Sequence, residues 1–145
     1  MATVLFIDVA GFTPMTIAMG DAAAADVLRR FAAMVRACTA THRGRIVKQI
    51  GDAFMMTFNQ PGDAVEFGLD ILDRVEEESQ FPSHIGAHHG PVLFRDGDYV
   101  GAGVNLAARV ASATAAGQFL ITEAVQTGVA LLPAGVSARC SMPAN

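Results

Sequence analysis

Residues 44–58 read Gly44-Arg45-Ile46-Val47-Lys48-Gln49-Ile50-Gly51-Asp52-Ala53-Phe54-Met55-Met56-Thr57-Phe58. Arg45 to Gly51 and Ala53 to Phe58 each read as a strand, and the Gly51-Asp52 pair between them suits a tight hairpin turn. Upstream, the apolar run Val4-Leu5-Phe6-Ile7 stops at Asp8 and is followed by Gly11 and Pro14. That predicts a buried strand running into a loop. Between the two, Val27, Leu28, Phe31, Met34, Val35 and Cys38 recur at helical spacing, so a helix is expected from Asp21 to about His42, with Gly44 marking its end. A β-α-β connection of this kind can bring the first strand beside the hairpin.

Downstream, Pro61 and Gly62 open a second amphipathic helix carrying Val65, Leu69, Leu72 and Val75, with Glu76-Glu77-Glu78 as a solvated end. Ile85 to His89 and Val92 to Arg95 read as a second hairpin around Gly90-Pro91. A third helix is expected from about Ala102 to Ser112, then a strand Phe119–Thr122 and a short helix to about Ala130. The order β-α-β-β-α-β-β-α-β-α, with helices set against hairpins, argues for an α+β fold with an antiparallel sheet.

With 145 residues, 52% hydrophobic and 17% charged, the chain is expected to form one domain with a self-sufficient core. Mean hydropathy is +0.37, yet no stretch reaches the ~18 uninterrupted apolar residues of a membrane span. The N-terminus has no basic region before its first strand, which argues against a cleaved signal peptide. Cys38 and Cys140 sit in unrelated contexts and point to a reduced, cytoplasmic protein rather than a disulfide framework. A formal charge of −4 argues against a nucleic-acid partner.

Asp8 ends a strand and Asp52 occupies a hairpin turn. At one sheet end the two carboxylates would make a hard-oxygen site for Mg²⁺ or Mn²⁺, and Gly11-Phe12-Thr13 would offer backbone N–H groups to phosphate oxygens. The structural reading, in which each aspartate satisfies local backbone donors, stands beside this one. Lys48 is the only lysine. Strict alternation places it on the face of Ile46 and Ile50, opposite Arg45, Val47 and Gln49, either snorkelling to water or facing a ligand. Asp98, in Arg95-Asp96-Gly97-Asp98, reads equally as a surface turn residue. Asn105 and Arg109 are four apart and share a face of the third helix. Val104, Leu106, Ala107, Ala108 and Val110 argue that this helix is not fully solvated. His84 and His88 share a strand face and His89 turns away. Two aligned histidines are too few for zinc, so strand-end histidines are expected.

Taken together these segments spell a known pattern. Val4 through Thr13 resembles the opening motif of the class III adenylate/guanylate cyclase catalytic domain, and Gly44 through Phe58 its second. Ile85-Gly86-Ala87-His88-His89-Gly90 resembles the third, and Asp98-Tyr99-Val100-Gly101-Ala102-Gly103-Val104-Asn105-Leu106-Ala107-Ala108-Arg109 the fourth. The similarity runs from about residue 3 to residue 127, and four ordered motifs with matching spacings are far more specific than any one.

The resemblance implies a ferredoxin-like, polymerase-palm-type fold with an antiparallel-rich central sheet flanked by helices. It further implies a bacterial adenylate cyclase, a head-to-tail homodimer converting ATP to cyclic AMP and pyrophosphate, with residues 1–145 as a single catalytic domain. Asp8 and Asp52 match the family's two metal-binding aspartates, each site holding two Mg²⁺ or Mn²⁺ ions. Lys48 and Asp98 match the base-selecting pair in its adenine form, Asn105 the ribose-orienting residue and Arg109 the residue that stabilises the transition state. Phe12 and Thr13 lie where the phosphates would be cradled. The metal aspartates would come from one subunit and the other four residues from its partner.

There are departures. His84 stands where many members carry arginine, which weakens the implied grip on the terminal phosphates. The chain ends at Asn145, before the Lys-Gly-containing terminal strands that the family usually carries. These departures favour a second reading, a degenerate cyclase-like module that binds nucleotide and regulates without turnover. A diguanylate cyclase is not supported, because Gly51-Asp52-Ala53-Phe54 matches its signature only in part.

Overall fold

The computed structural model describes residues 1–78 and 82–129, together with the backbone of 137–139. In chain order the elements are β1 (Ala2–Val9), α1 (Phe12–Met19), α2 (Asp21–Thr41), β2 (Arg45–Ile50), β3 (Ala53–Phe58), α3 (Pro61–Glu77) and β4 (Ser83–Gly90). There follow β5 (Leu93–Arg95), β6 (Asp98–Val100), α4 (Ala102–Ala113), β7 (Gln118–Thr122), α5 (Glu123–Thr127) and β8 (Ser137–Arg139).

The strand that opens the chain is largely buried and lies at the middle of the six-stranded sheet β2-β3-β1-β4-β7-β8. β1 pairs antiparallel with β3 on one side and with β4 on the other. Successive side chains of a strand point to opposite faces. Leu5, Ile7 and Val9 therefore join the larger core with Phe31, Val35 and Cys38 of α2 and with Val65, Phe67 and Ile71 of α3. Val4 goes to the other face and meets Met55, Val104 and Ala107, with Phe6 and Tyr99 packed alongside. Among the described residues one face thus carries α1, α2, α3 and α5, and the other α4 and the β5–β6 hairpin.

The architecture is α+β, as expected, with the first strand beside the first hairpin. Four local expectations are corrected. The segment after Asp8 is not a loop: α1 begins at Phe12, and Pro14 sits in its first turn, where a missing N–H costs no intrahelical bond. Val92 to Arg95 does not fold back on β4. β5 pairs with β6 through a turn at Asp96-Gly97, both left-handed with φ of 55° and 78°. The sheet is mixed rather than antiparallel throughout, since α4 carries the chain across from β4 to β7 and such a crossover delivers a parallel strand. β8, in a segment with no expected element, extends the sheet parallel to β7. Ala130, the expected end of the last helix, and Cys140 lie outside the described residues. Cys38 is buried and free, and burial pushes its thiol up to about 11. No helix among the described residues is long and apolar enough to cross a membrane.

Two glycines fix how closely the layers approach. A methyl group at Gly86 of β4 would run into the backbone of Ala111 in α4, and one at Gly68 of α3 into the ring of Phe119 in β7. Overpacking of this kind typically costs about 1–3 kcal/mol, and backbone yields less readily than a side-chain tip. Gly86→Ala is expected to lower the urea midpoint by an amount at the upper end of that range. Gly62→Ala, in α3 with open space around the added methyl, is expected to be neutral or stabilising by up to about 1 kcal/mol. Equal midpoints for the two variants in parallel urea titrations would show that α4 does not rest on Gly86.

Candidate active site

The carboxyl end of β1 and the β2–β3 turn form one corner of the sheet. Asp8 is paired in register with Ala53, so Asp52 lies beside it at the turn, where Gly51 takes the left-handed conformation with φ of 60°. Burial pushes the Asp8 carboxyl above its ordinary value, the nearby His84 opposes this, and the charge of Asp52 adds to it. An Asp52 charge close enough to disfavour ionisation of Asp8 makes the pair a donor set that a hard divalent cation would stabilise. The residues therefore fit such an ion. Among the described residues no group of three His, Cys, Asp or Glu side chains gathers at one point, so further ligands would come from backbone, water or substrate. α1 opens against the same corner. Its N-cap, Gly11, is left-handed with φ of 67° and gives no side-chain cap, which leaves the first N–H groups of the helix for an incoming anion.

Lys48 and Asp98, fifty residues apart, meet: Lys48 Nζ donates to Asp98 Oδ2 at 2.7 Å, and the Tyr99 backbone N–H donates to Asp98 Oδ1 at 2.8 Å. These contacts hold the Asp98 carboxyl below its usual range. The pair remains partly open, with side chains 41% and 34% exposed. The face assignment from strict alternation is corrected here. The β2–β3 register slips between Ile46, opposite Met56, and Lys48, opposite Met55, so Val47 is a bulge residue. Ile46 packs into the α2–α3 core, whereas Val47 packs on the α4 side and Lys48 follows it there. Gln49 turns back toward α2 and accepts from Arg36 Nη2 at 3.3 Å. The sequence departs from alternation there, with two adjacent apolar residues, Ile46-Val47, followed by two adjacent polar ones, Lys48-Gln49.

α4 brings the remaining candidates. Val104, Ala107, Val110 and Ala111 are buried, and Asn105 is exposed on the opposite side. Arg109 Nε and Nη2 are buried and make no hydrogen bond among the described residues. A cavity of about 130 Å³ separates Asp8 and Ala53 from Ala108, Ala111 and Ser112. The histidines each find a neighbour. His84 Nδ1 donates to the Thr114 carbonyl oxygen at 2.9 Å, tying β4 to the end of α4, while His88 pairs with Thr122 and His89 with Thr3, both at 2.8 Å. The His84–Thr114 tie was not foreseen, since nothing local in the sequence marks a bond across thirty residues.

A mixed sheet with helices on both faces, two carboxylates at one corner and a lysine–aspartate pair along the adjacent strand define a nucleotide-cyclase type of domain. Residues 1–132 match the model of the adenylate and guanylate cyclase catalytic domain, and the chain belongs to that family. It is 38% identical over 116 residues to an uncharacterized protein of Mycobacterium tuberculosis, covering 79% of this chain and 31% of that one. It is 31% identical over 108 residues to an adenylate cyclase of Streptomyces coelicolor, covering 74% of this chain and 28% of that one. The chain thus spans about a third of the length of the relatives it matches. Among solved structures it resembles an adenylate/guanylate cyclase/hydrolase from Silicibacter pomeroyi, with a TM-score of 0.72, 26% identity and coverage of 87% of this chain and 77% of that one. The fold is therefore the palm-type cyclase fold.

The raised Asp8 carboxyl has a consequence for stability. A carboxyl whose folded pKa exceeds its unfolded one disfavours the fold once ionised, and the penalty builds as pH rises from the ordinary aspartate value through the folded one. In metal-free buffer, Asp8→Asn is expected to be more stable than the parent at neutral pH. The gap should close as pH falls through the folded Asp8 pKa. Urea unfolding with chelator present checks this, and a gap that widened toward acid would reverse the sign.

Proposed function

We propose that the domain is an adenylate cyclase: the 3′-hydroxyl of ATP attacks its own α-phosphorus, the bond to the bridging oxygen breaks, and cyclic AMP and pyrophosphate leave. The observation that carries the choice of ATP is the 2.7 Å Lys48–Asp98 pair at the family's base-selecting positions. Adenine presents a 6-amino donor and ring-nitrogen acceptors, which a carboxylate and an ammonium complement. Guanine presents an acceptor at that position and would face Asp98 unfavourably. Sites built to hydrogen-bond a group can reject an analogue lacking it by about 10⁴-fold.

Nucleophile and electrophile share one molecule, so the residues have two tasks: to hold the in-line conformer and to offset developing charge. Asp8 and Asp52 would hold Mg²⁺ or Mn²⁺, two ions per site. Bound there, the ions would lower the pKa of the 3′-hydroxyl and brace phosphate oxygens. The backbone N–H groups at Phe12 and Thr13 face the triphosphate. Asn105 orients the ribose. Arg109 contributes a planar guanidinium cation suited to phosphate oxygens. The buried, unpartnered Nε and Nη2 of Arg109 support a role completed by an anion outside this protomer. The working unit in this reading is a homodimer, residues 1–145 being one catalytic domain in the cytoplasm. Asp8 and Asp52 come from one subunit, and Lys48, Asp98, Asn105 and Arg109 from the other.

With Mn²⁺ or Mg²⁺ the protein should form cyclic AMP from ATP, and Asp8→Ala and Asp52→Ala should each lose at least about 10²-fold in kcat. Absence of turnover in the parent, with nucleotide binding retained, would favour the regulatory module instead. Shared sites also make an arithmetic prediction. Asp8→Ala and Arg109→Ala homodimers should be nearly silent, but a mixed dimer places both lesions in one site and leaves the other intact. Mixing the two should restore up to roughly half of the parent activity per heterodimer. No recovery, although native mass spectrometry detects heterodimers, would place both residues in the same protomer's site.

A further inference from the structure

At the other end of β2 from Gly51-Asp52 lies a cavity of about 340 Å³ lined by Arg43, Gly44, Arg45, Thr57, Asn59 and Tyr99. At ~3.3 Å per residue along the strand it is roughly 20 Å from Asp52. Arg45 and Thr57 are partners across the β2–β3 ladder, and Thr57 is also opposite Val4, whose side chain belongs to the α4-side cluster. Arg45 and Thr57 therefore open onto the α4 face.

The lining holds two guanidinium groups, a threonine, an asparagine and a tyrosine, and no carboxylate. Arg43 has one ion pair, to Asp63 at 3.2 Å, and its left-handed backbone, φ 61°, is pinned by the Gly44 N–H donating to the Thr39 carbonyl. Arg45 has no ion pair among the described residues. Thr57 is only 7% exposed as a residue, while its hydroxyl, not fully buried, makes no hydrogen bond among the described residues.

We propose that this cavity binds a phosphate-type oxyanion at a second site, separate from the metal corner. Guanidinium groups match phosphate oxygens in a planar, two-pronged geometry, and a threonine hydroxyl and an asparagine amide supply the neutral donors around them. The volume exceeds that of a free phosphate, so an ester carrying the same group also fits. The site is independent of the ATP reading, because none of its six residues belongs to the proposed catalytic set.

The test is a ¹H–¹⁵N titration of the protein with inorganic phosphate at constant ionic strength, repeated with ribose 5-phosphate. Saturable shifts centred on Arg45, Thr57, Asn59 and Tyr99 are expected from at least one of the two. The tighter of them identifies the free ion or the ester as the better ligand. Charge-assisted bonds of this kind make a loss of roughly 10-fold or more in affinity the expectation for Arg45→Gln, an exposed position where folding is not at risk. Thr57→Val should weaken binding several-fold while keeping the shape of the side chain. Asp8→Ala should bind as the parent does. Non-saturable shifts, unchanged affinity in Arg45→Gln, or loss of binding in Asp8→Ala would each overturn the proposal.

Discussion

The approach of α4 to β4 at Gly86 sets the geometry of the whole second face of the sheet. Backbone meets backbone there, with no side chain between them. Because α4 sits that low, Val104 and Ala107 can bury against Val4 and Met55, and the last turn of the helix closes over Asp8. The crossover that α4 makes then brings β7 down parallel to β4. The His84 bond to the Thr114 carbonyl fastens the end of the same helix to the same strand.

The two faces of the sheet carry different loads. The α2–α3 side holds most of the large buried side chains and is where stability resides. On its rim Asp70 shows the balance of forces. Burial alone would push its carboxyl up, but hydrogen bonds from His42 and Arg74 outweigh burial and hold it down. The α4 side is lightly covered, and polar groups collect there: the Asp8 corner, the Lys48–Asp98 pair, the unpartnered Arg109 nitrogens and the Arg45 cavity. A thin apolar layer leaves room for chemistry that the thick layer would exclude.

Much of this arrangement was legible in the sequence, and the gaps have physical causes. Period-two and period-3.6 patterns placed β1, the β2–β3 hairpin, α2, α3, α4 and β7 within a few residues, because each buries one face and must repeat its apolar positions. α1 was hidden by Pro14, which reads as a breaker although the first helical turn tolerates it. The β5–β6 hairpin was misplaced because Gly90-Pro91 resembles a turn as strongly as Asp96-Gly97, and only tertiary pairing decides between them. Gly44 does follow α2, but the left-handed residue is Arg43. Gly44 is required instead because a methyl there would press on Phe58 and Thr39. The meeting of Lys48 with Asp98 was legible only through the family pattern, since nothing local to either residue names the other.

The bulge at Val47 sets a rule for how this strand can change. Each residue added to or removed from the regularly paired part of a strand turns every later side chain over, whereas the bulge already absorbs one extra residue between Gly44 and Gly51. Loss of Val47 alone would remove the bulge and leave Ile46 opposite Met56 and Lys48 opposite Met55, each on its present face, at the cost of the Val47 packing against the α4-side cluster. A single deletion is therefore open to this strand at the bulge, and closed where the ladder is regular. Aligned relatives should therefore differ in the spacing from residue 44 to residue 51 by no more than the bulge residue, even where the residues between them differ.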